Sequence, residues 1–186
     1  MNMYILIGLA AMFVTATVIF FNLIVAKKLM VDNGWSDIDV QLKRRADLIP
    51  SLIEVVKGYA SHEKTTLEDV IEKRNAALSA GDDITKRSQA ETNVSAGIGR
   101  LFALAESYPD LKASDQFLKL QEELSKTEDD ISYARRFFNG AVREYNTTIK
   151  SFPAVLLASI LGYSERAFFE IEIADRALPT VSLSGD

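Results

Sequence analysis

The stretch MYILIGLAAMFVTATVIFFNLIVA, residues 3–26, contains no charged side chain and is followed at once by Lys27 and Lys28. As a helix it is ~36 Å long at ~1.5 Å per residue, whereas the hydrocarbon core of a bilayer is ~30 Å thick. The stretch therefore predicts a transmembrane helix. It divides the chain into an anchor, residues 1–31, and a remainder that lies outside the bilayer.

A cleaved signal peptide is the alternative interpretation of this apolar stretch. Such a peptide has a basic N-terminal region, a short apolar core and a cleavage site between small residues. Residues 1–4 carry no basic side chain, and the apolar run is longer than a signal-peptide core. We therefore expect a retained anchor.

The orientation of the anchor follows from the basic residues that come after it, because Lys and Arg favour the cytoplasmic side of a membrane. They are Lys27, Lys28, Lys43, Arg44 and Arg45. We expect a single pass through the inner (cytoplasmic) membrane, with the N-terminus outside and the C-terminal domain in the cytoplasm. Lys27, Lys28 and Trp35 are the predicted membrane-interface residues. For Trp35, packing at the end of the bundle is the alternative.

The composition excludes several classes of function. The chain has no Cys, which excludes disulfides, thiol catalysis and Cys-ligated metal sites. Its net charge is −5, whereas a nucleic-acid surface normally shows an excess of basic residues. We therefore expect no nucleic-acid partner.

The clearest periodicity outside the anchor lies in residues 114–149. Apolar or small side chains recur there at alternating spacings of three and four, which is a heptad seam and predicts one long helix with coiled-coil character. Ser114 can cap its start and Phe152-Pro153 ends it. The seam consists of Phe117, Leu120, Leu124, Thr127, Ile131, Ala134, Phe138, Ala141, Tyr145 and Thr148.

Three further helices are predicted at residues 36–59, 63–80 and 84–107. Their apolar residues recur at helical spacing, and their short connections make neighbours antiparallel. The sequence thus predicts an all-α protein, in which the anchor precedes an elongated antiparallel four-helix bundle at residues 32–152. Pro50 is expected to kink or break the first helix. The predicted buried residues are Ile38, Leu42, Ile49, Ile53, Val56, Leu67, Val70, Ile71, Ala77, Leu78, Val94, Ile98, Leu101, Ala105 and Tyr108.

The C-terminal part, residues 153–186, is predicted to be an apolar helix or strand segment and a tail. Its first portion, PAVLLASILGY, is uncharged and too short to span a bilayer. Two interpretations stay open: it caps the core of the bundle, or it lies on a membrane or binds a partner. Residues 169–173 show weak strand-like alternation.

The densest charged cluster surrounds Lys43-Arg44-Arg45, with Asp37, Asp39 and Asp47 nearby. It is either a surface for anionic headgroups or a partner, or a helix surface paired at i,i+4 through Asp39–Lys43 and Lys43–Asp47. The candidate interaction face is therefore Asp39, Lys43, Arg44, Arg45 and Asp47.

No catalytic, cofactor or metal site is predicted. His62 is the only histidine, and neither a second Glu-x-x-His pair nor an HExxH pattern accompanies it. The carboxylates Glu122-Glu123 and Glu128-Asp129-Asp130 are expected on a solvated face. We therefore expect a protein that is not an enzyme and needs no cofactor.

Several motifs together resemble the LemA family. They are Asn22, WSDIDVQLKRR (35–45), DLIP (47–50), VVKGYA (55–60), His62-Glu63, Ala105-Glu106, YPDLKA (108–113), Phe117, Leu120-Gln121, Thr127-Glu128, Ala134-Arg135, Tyr145-Asn146 and Phe152-Pro153. The resemblance implies a membrane-anchored antiparallel helical bundle. It also implies association with membrane organisation, including magnetosome formation, and with membrane proteases such as HtpX. Gly34 stands where the family usually has a residue such as Ala, so a hinge and a continuous helix are both open at Asn33-Gly34.

Two functions of different classes follow. The first is a scaffold that self-assembles into a homo-oligomer and organises the membrane and its proteins. The second is an adaptor or regulator of a membrane enzyme such as a protease. Membrane lipids are expected partners in both cases, and a membrane protein is a further possible partner.

Overall fold

The computed structural model describes residues 2–81 and 83–170, and every regular element in those ranges is a helix. The all-α prediction is therefore confirmed for this part of the chain. Along the chain the helices are α1 (Asn2–Tyr59), α2 (Lys64–Ser79), α3 (Ile84–Ala105), α4 (Pro109–Lys112), α5 (Asp115–Lys150) and α6 (Ala154–Ile160).

Helix α1 is unbroken and contains both the predicted anchor and the predicted helix at residues 36–59. It continues through Gly34, so the structure has a continuous helix there and no hinge. At Gly34 the helix comes very close to α5. A Cβ atom on Gly34 would lie 3.2 Å from both the Phe138 Cα and the Phe137 Cδ1. The glycine therefore serves close packing of two helices.

The break expected at Pro50 is also absent, and a contact from α2 accounts for this. Proline has no backbone N–H, so Pro50 leaves the carbonyl of Ala46 without its helical donor. The Arg74 Nε donates a hydrogen bond to that carbonyl at 2.7 Å. The acceptor that the proline leaves open is thus satisfied by a neighbouring helix, and α1 continues.

The helices pack as two antiparallel pairs. Helices α1 and α5 run side by side in opposite directions, as the ion pairs Lys27–Glu144 and Arg45–Glu128 show. Helices α2 and α3 form a hairpin that packs on the half of α1 remote from its N-terminus. Gly81, with φ +62°, follows the end of α2, and the Asp83 carboxylate caps α3 by accepting from the backbone N–H groups of Thr85 and Lys86.

Two apolar clusters lie one after the other along the α1–α5 pair. The distal cluster joins α1 to α2, α3, α4 and the start of α5. Its members are Ile49, Leu52, Ile53, Val55, Val56, Ala60, Leu67, Val70, Ala77, Val94, Ile98, Leu101, Ala105, Leu111, Phe117 and Leu124. The anchor-side cluster joins α1 to the end of α5, α6 and Phe169. Its members are Ile24, Val31, Ile38, Leu42, Ile131, Phe138, Ala141, Val142, Tyr145, Ile149, Ala154, Ala158 and Phe169.

The seam predicted for residues 114–149 is buried as expected. All ten of its side chains are buried or partly buried along α5. Ser114 occupies the cap position of α5, but its side chain makes no capping hydrogen bond. Lys150 is the last residue of the helix, just before Phe152-Pro153.

The sequence prediction that Ile71 and Leu78 are buried was wrong. Ile71 and Leu78 are exposed, because α2 packs through Leu67, Val70 and Ala77 and turns its other face outward. Within residues 169–173, Phe169 and Glu170 are not in a strand, and the remaining three lie outside the described residues.

Candidate membrane and interaction sites

The first part of α1 projects from the rest of the molecule. Its side chains from Met3 to Val14 are all exposed, although nearly all are apolar. The hydroxyls of Thr15 and Thr17 donate to the carbonyls of Ala11 and Phe13 at 2.9 Å, so both are satisfied within the helix. By length and composition, this helix is able to cross a membrane.

Basic side chains follow directly after this exposed segment. The Lys27 ammonium forms an ion pair with the Glu144 carboxylate of α5 at 2.6 Å, and Lys28 is partly exposed on the next position. The pair ties the end of the apolar run to α5. Lys27 and Lys28 thus lie directly after the apolar segment of α1, and their place at the membrane interface stays a prediction.

Trp35 lies further along α1 and is packed against aromatic rings. Its indole is partly buried, with ring centroids 5.7 Å from Phe138 and 5.9 Å from Phe169. It lies nine positions after Ala26, or ~13 Å along a helix. Trp35 therefore packs against the anchor-side cluster, and its place at the membrane interface stays a prediction.

A buried charge cluster occupies the space between the two apolar clusters. At its centre the Arg45 side chain is almost fully buried. Its guanidinium donates to Glu91 Oε2 at 2.5 Å, to the Glu91 carbonyl oxygen at 3.2 Å, to Glu128 Oε1 at 2.5 Å and to Ser95 Oγ at 2.6 Å. Residues of α1, α3 and α5 thus meet at one side chain.

A second arginine extends this cluster along α3. The Arg87 Nε donates to Glu91 Oε1 at 2.7 Å, and another Arg87 nitrogen donates to Asp39 Oδ1 at 3.2 Å. The Glu91 carboxylate is therefore shared between two guanidinium groups. Buried charges are tolerated when they are paired and hydrogen-bonded in this way.

The surroundings of the cluster also act on Arg135. Its partial burial lowers the pKa of the Arg135 guanidinium, the carboxylate of Glu128 raises it, and the neighbouring charge of Arg136 lowers it again. Glu128 therefore interacts with cations on two helices. Glu128 was predicted on a solvated face; its side chain is 37% exposed, and its carboxylate is paired with Arg45.

The predicted interaction face divides into exposed residues and one buried residue. Asp39, Lys43, Arg44 and Asp47 are exposed on α1. Arg45 is buried, so its side chain is withdrawn from that surface. Among the ion pairs of the described residues, Asp39 pairs with Arg87 and Arg44 pairs with Asp130 at 3.9 Å; the expected i,i+4 pairs of Lys43 do not occur.

The remaining candidate groups form no chemical site in the described part of the chain. His62 is exposed in the turn between α1 and α2. No group of three or more His, Cys, Asp or Glu residues within residues 2–81 and 83–170 is arranged to hold a metal ion. The carboxylates of the charge cluster, Asp39, Glu91 and Glu128, are paired with Arg45 or Arg87.

Comparison with known proteins assigns this chain to a family. The family model described as the LemA family matches residues 34–183. Protein LemA of Metamycoplasma hominis is 28% identical over 146 residues, which cover 78% of this chain and 67% of that protein. Magnetosome protein MamQ of Magnetospirillum gryphiswaldense is 24% identical over 182 residues, covering 84% and 67%. Magnetosome protein MamQ 2 of Paramagnetospirillum magneticum is 24% identical over 160 residues, which cover 73% of this chain and 59% of that protein.

Proposed function

This chain belongs to the LemA family, and we propose that it is a membrane-anchored scaffold that self-assembles and organises the membrane and its proteins. It is a membrane-associated helical protein. The proposal goes further, from association with a membrane to an organising role. The relatives that carry the names of magnetosome proteins support such a role.

The observation that carries the proposal is the continuity of α1. One helix contains the apolar run and the face that packs in the distal cluster. A rigid rod of this kind, supported by α5 along much of its length, holds the remaining helices at a fixed distance from the bilayer. We further propose that α1, α2, α3 and α5 act together as the antiparallel four-helix bundle, since all four contribute side chains to the distal cluster.

Exposed apolar side chains on α5 supply a candidate surface for self-assembly. Tyr133 and Phe137 are one helical turn apart, with exposed fractions of 65% and 50%. The Arg136 guanidinium lies 4.5 Å from the centre of the Tyr133 ring. Aromatic and arginine side chains are enriched at protein interfaces. We propose that this surface meets a second copy of the chain.

We also propose the inner membrane as the location, with the N-terminus outside and the helices beyond the anchor in the cytoplasm. The support is the position of Lys27 and Lys28 at the end of the apolar run. A catalytic role forms no part of the proposal, because the carboxylates of the charge cluster are bound by Arg45 and Arg87.

The mass and shape of the full-length protein in nanodiscs test the scaffold proposal. Light scattering and electron microscopy should show a discrete oligomer. The double variant Tyr133→Ser/Phe137→Ser should lower its mass, whereas the matched control Leu78→Ser, which alters an exposed apolar residue on α2, should not. A monomer in every sample would overturn self-assembly. Stoichiometric co-purification of such a monomer with one membrane enzyme would support the adaptor function in its place.

A further inference from the structure

The short helix α6 packs directly beside the membrane anchor. Its inner face consists of Ala154, Leu157 and Ala158, which belong to or pack against the anchor-side cluster. On the α1 side the same cluster includes Phe20 and Ile24. Both of these α1 residues lie inside the uncharged run of residues 3–26. The structure thus places α6 alongside the part of α1 that is expected in the membrane.

The register between α1 and α5 fixes the level of α6 along the anchor. Glu144 pairs with Lys27, the first charged residue after the apolar run. Helix α5 is antiparallel to α1 and continues six residues further to Lys150, which is ~9 Å closer to the bilayer. The chain then turns at Phe152-Pro153 into α6. The end of α5 and the whole turn therefore extend past the level of Lys27.

The outward face of this segment is apolar and strongly exposed. Residues 151–163 carry no charge. The exposed fractions are 81% for Phe152, 57% for Leu156, 80% for Ile160 and 50% for Leu161. Contiguous exposed apolar residues of this kind mark a surface that meets a partner or a membrane.

The length of the anchor indicates which of these it meets. The apolar run is ~36 Å long and the hydrocarbon core is ~30 Å thick, so ~6 Å of the run extends into the headgroup layer. The α1 residues against which α6 packs, Ile24 and Phe20, lie ~3 and ~9 Å before the end of the run, so α6 lies at the boundary between this layer and the acyl chains. A seven-residue helix is too short to span a bilayer but long enough to lie in its interface.

The backbone N–H groups of the turn after α6 are hydrogen-bonded within the chain, which suits an environment with little water. The N–H groups of Leu161 and Tyr163 donate to the carbonyls of Leu157 and Ala158 at 2.9 Å, so they need no water. The flanking charges, Lys150 and Glu165, form an ion pair at 2.8 Å, so the charge of each is balanced by the other.

We infer that α6 is a second membrane element: its outward face, formed by Phe152, Leu156, Ile160 and Leu161, lies in the interfacial layer of the same bilayer that α1 crosses. The partner is the boundary between lipid headgroups and acyl chains. This inference rests on the proposed anchoring and adds a second attachment point. Two points of attachment hold the long axis of the molecule more firmly than one anchor alone.

Fluorescence quenching by lipid tests this inference, and the absence of Cys allows single-cysteine variants of the full chain. The variants Leu156→Cys and Ile160→Cys are labelled with an environment-sensitive fluorophore and reconstituted into nanodiscs. The lipids are phosphatidylcholine and phosphatidylglycerol, with a spin label near the glycerol end of the acyl chain in one sample and near its methyl end in a second. Val14→Cys reports on the anchor. Leu118→Cys, on an exposed apolar residue of α5 ~45 Å from α6, is the matched control.

We expect loss of fluorescence at positions 156 and 160 with the label near the glycerol end, at position 14 with the label near the methyl end, and none at position 118 with either label. Quenching at 14 but not at 156 and 160 would overturn the inference and leave the anchor intact. A blue-shifted emission at 156 and 160 without quenching would also overturn it, because the face would then be covered by protein. Absence of quenching at 14 as well would overturn the proposed anchoring, and the inference with it.

Discussion

Three consecutive basic residues of α1 have different environments. Lys43 and Arg44 are exposed, whereas Arg45 is buried among residues of α3 and α5. The difference arises from their angular positions on the helix, since only Arg45 faces the other helices. In the buried position the charge is balanced by Glu91 and Glu128, and it fixes how three helices meet.

Substitution of Arg45 should be far more costly than substitution of its neighbour. In Arg45→Met the Glu128 carboxylate loses its Arg45 partner, and Glu91 keeps only Arg87. We expect a loss of roughly 2–4 kcal/mol in the free energy of unfolding, somewhat below the ~3–5 kcal/mol typical of broken buried ion pairs, because the Glu128 side chain is partly exposed. Arg44→Met removes an exposed contact of 3.9 Å and should cost ~0–1 kcal/mol. Urea unfolding of both variants in detergent, followed by circular dichroism, compares the two. Equal losses would contradict the central role of Arg45.

The contact between Arg74 and the carbonyl of Ala46 should depend on Pro50. In the native chain, Arg74→Ala leaves that carbonyl without a donor, and we expect a loss of ~1–2 kcal/mol in the free energy of unfolding. In Pro50→Ala the backbone N–H of residue 50 becomes available to the same carbonyl. Arg74→Ala should then cost less than half as much. A double-mutant cycle measures this coupling, and a coupling energy near zero would show that the arginine does not compensate for the proline.

The burial of Arg45 was missed in the sequence, although a signal for it exists. The buried residues Leu42 and Ile49 are seven apart, and Arg45 fills the position between them at spacings of three and four. Glu91 likewise lies three residues before Val94, and so extends the buried face of α3 that Val94, Ile98, Leu101 and Ala105 form. The burial of Arg45 and Glu91 was not predicted, because charged residues were assumed to be exposed. The partners themselves were not predictable, because they depend on how separate helices align.

At the scale of helices, the sequence predicted α5 well and α1 only in part. A strict seam fixes one face of α5, so burial followed from periodicity alone. In α1, local rules suggested interruptions at Gly34 and Pro50. Contacts from other helices override both, since Phe137 packs against Gly34 and Arg74 satisfies the acceptor beside Pro50. Such contacts between distant parts of the chain are invisible to local rules.

A large side chain at Gly34 should separate α1 from α5. In Gly34→Leu, even the Cβ would lie 3.2 Å from the backbone of Phe138, which cannot rotate away. We expect a loss of roughly 1–3 kcal/mol in the free energy of unfolding, as for other overpacked sites. Gly99→Leu is the matched control, because a Cβ there has no heavy atom within 4 Å. It should be neutral or stabilising, since Leu favours helix more than Gly does. Thermal unfolding of both variants distinguishes close packing from helix propensity.

At the scale of the whole molecule, the proposed orientation makes a direct prediction about access. A single cysteine in Lys119→Cys lies on an exposed position of α5, far from the anchor. In intact cells a membrane-impermeant maleimide should leave it unlabelled, and disruption of the membrane should allow labelling. An N-terminal extension carrying one cysteine should be labelled in intact cells. The opposite pattern would place the helical domain outside the cytoplasm.

If α1 crosses the bilayer as proposed, any tilt of its membrane segment also moves its far end, because the helix is unbroken. A change in bilayer thickness alters the tilt of a spanning helix. The part of α1 beyond Lys27 is ~50 Å long, so a tilt of ~10° would displace its far end by ~9 Å. A hinge at Gly34 would absorb that rotation, whereas a continuous rod transmits it. The position of α2 and α3 relative to the membrane surface would therefore change with the thickness of the bilayer.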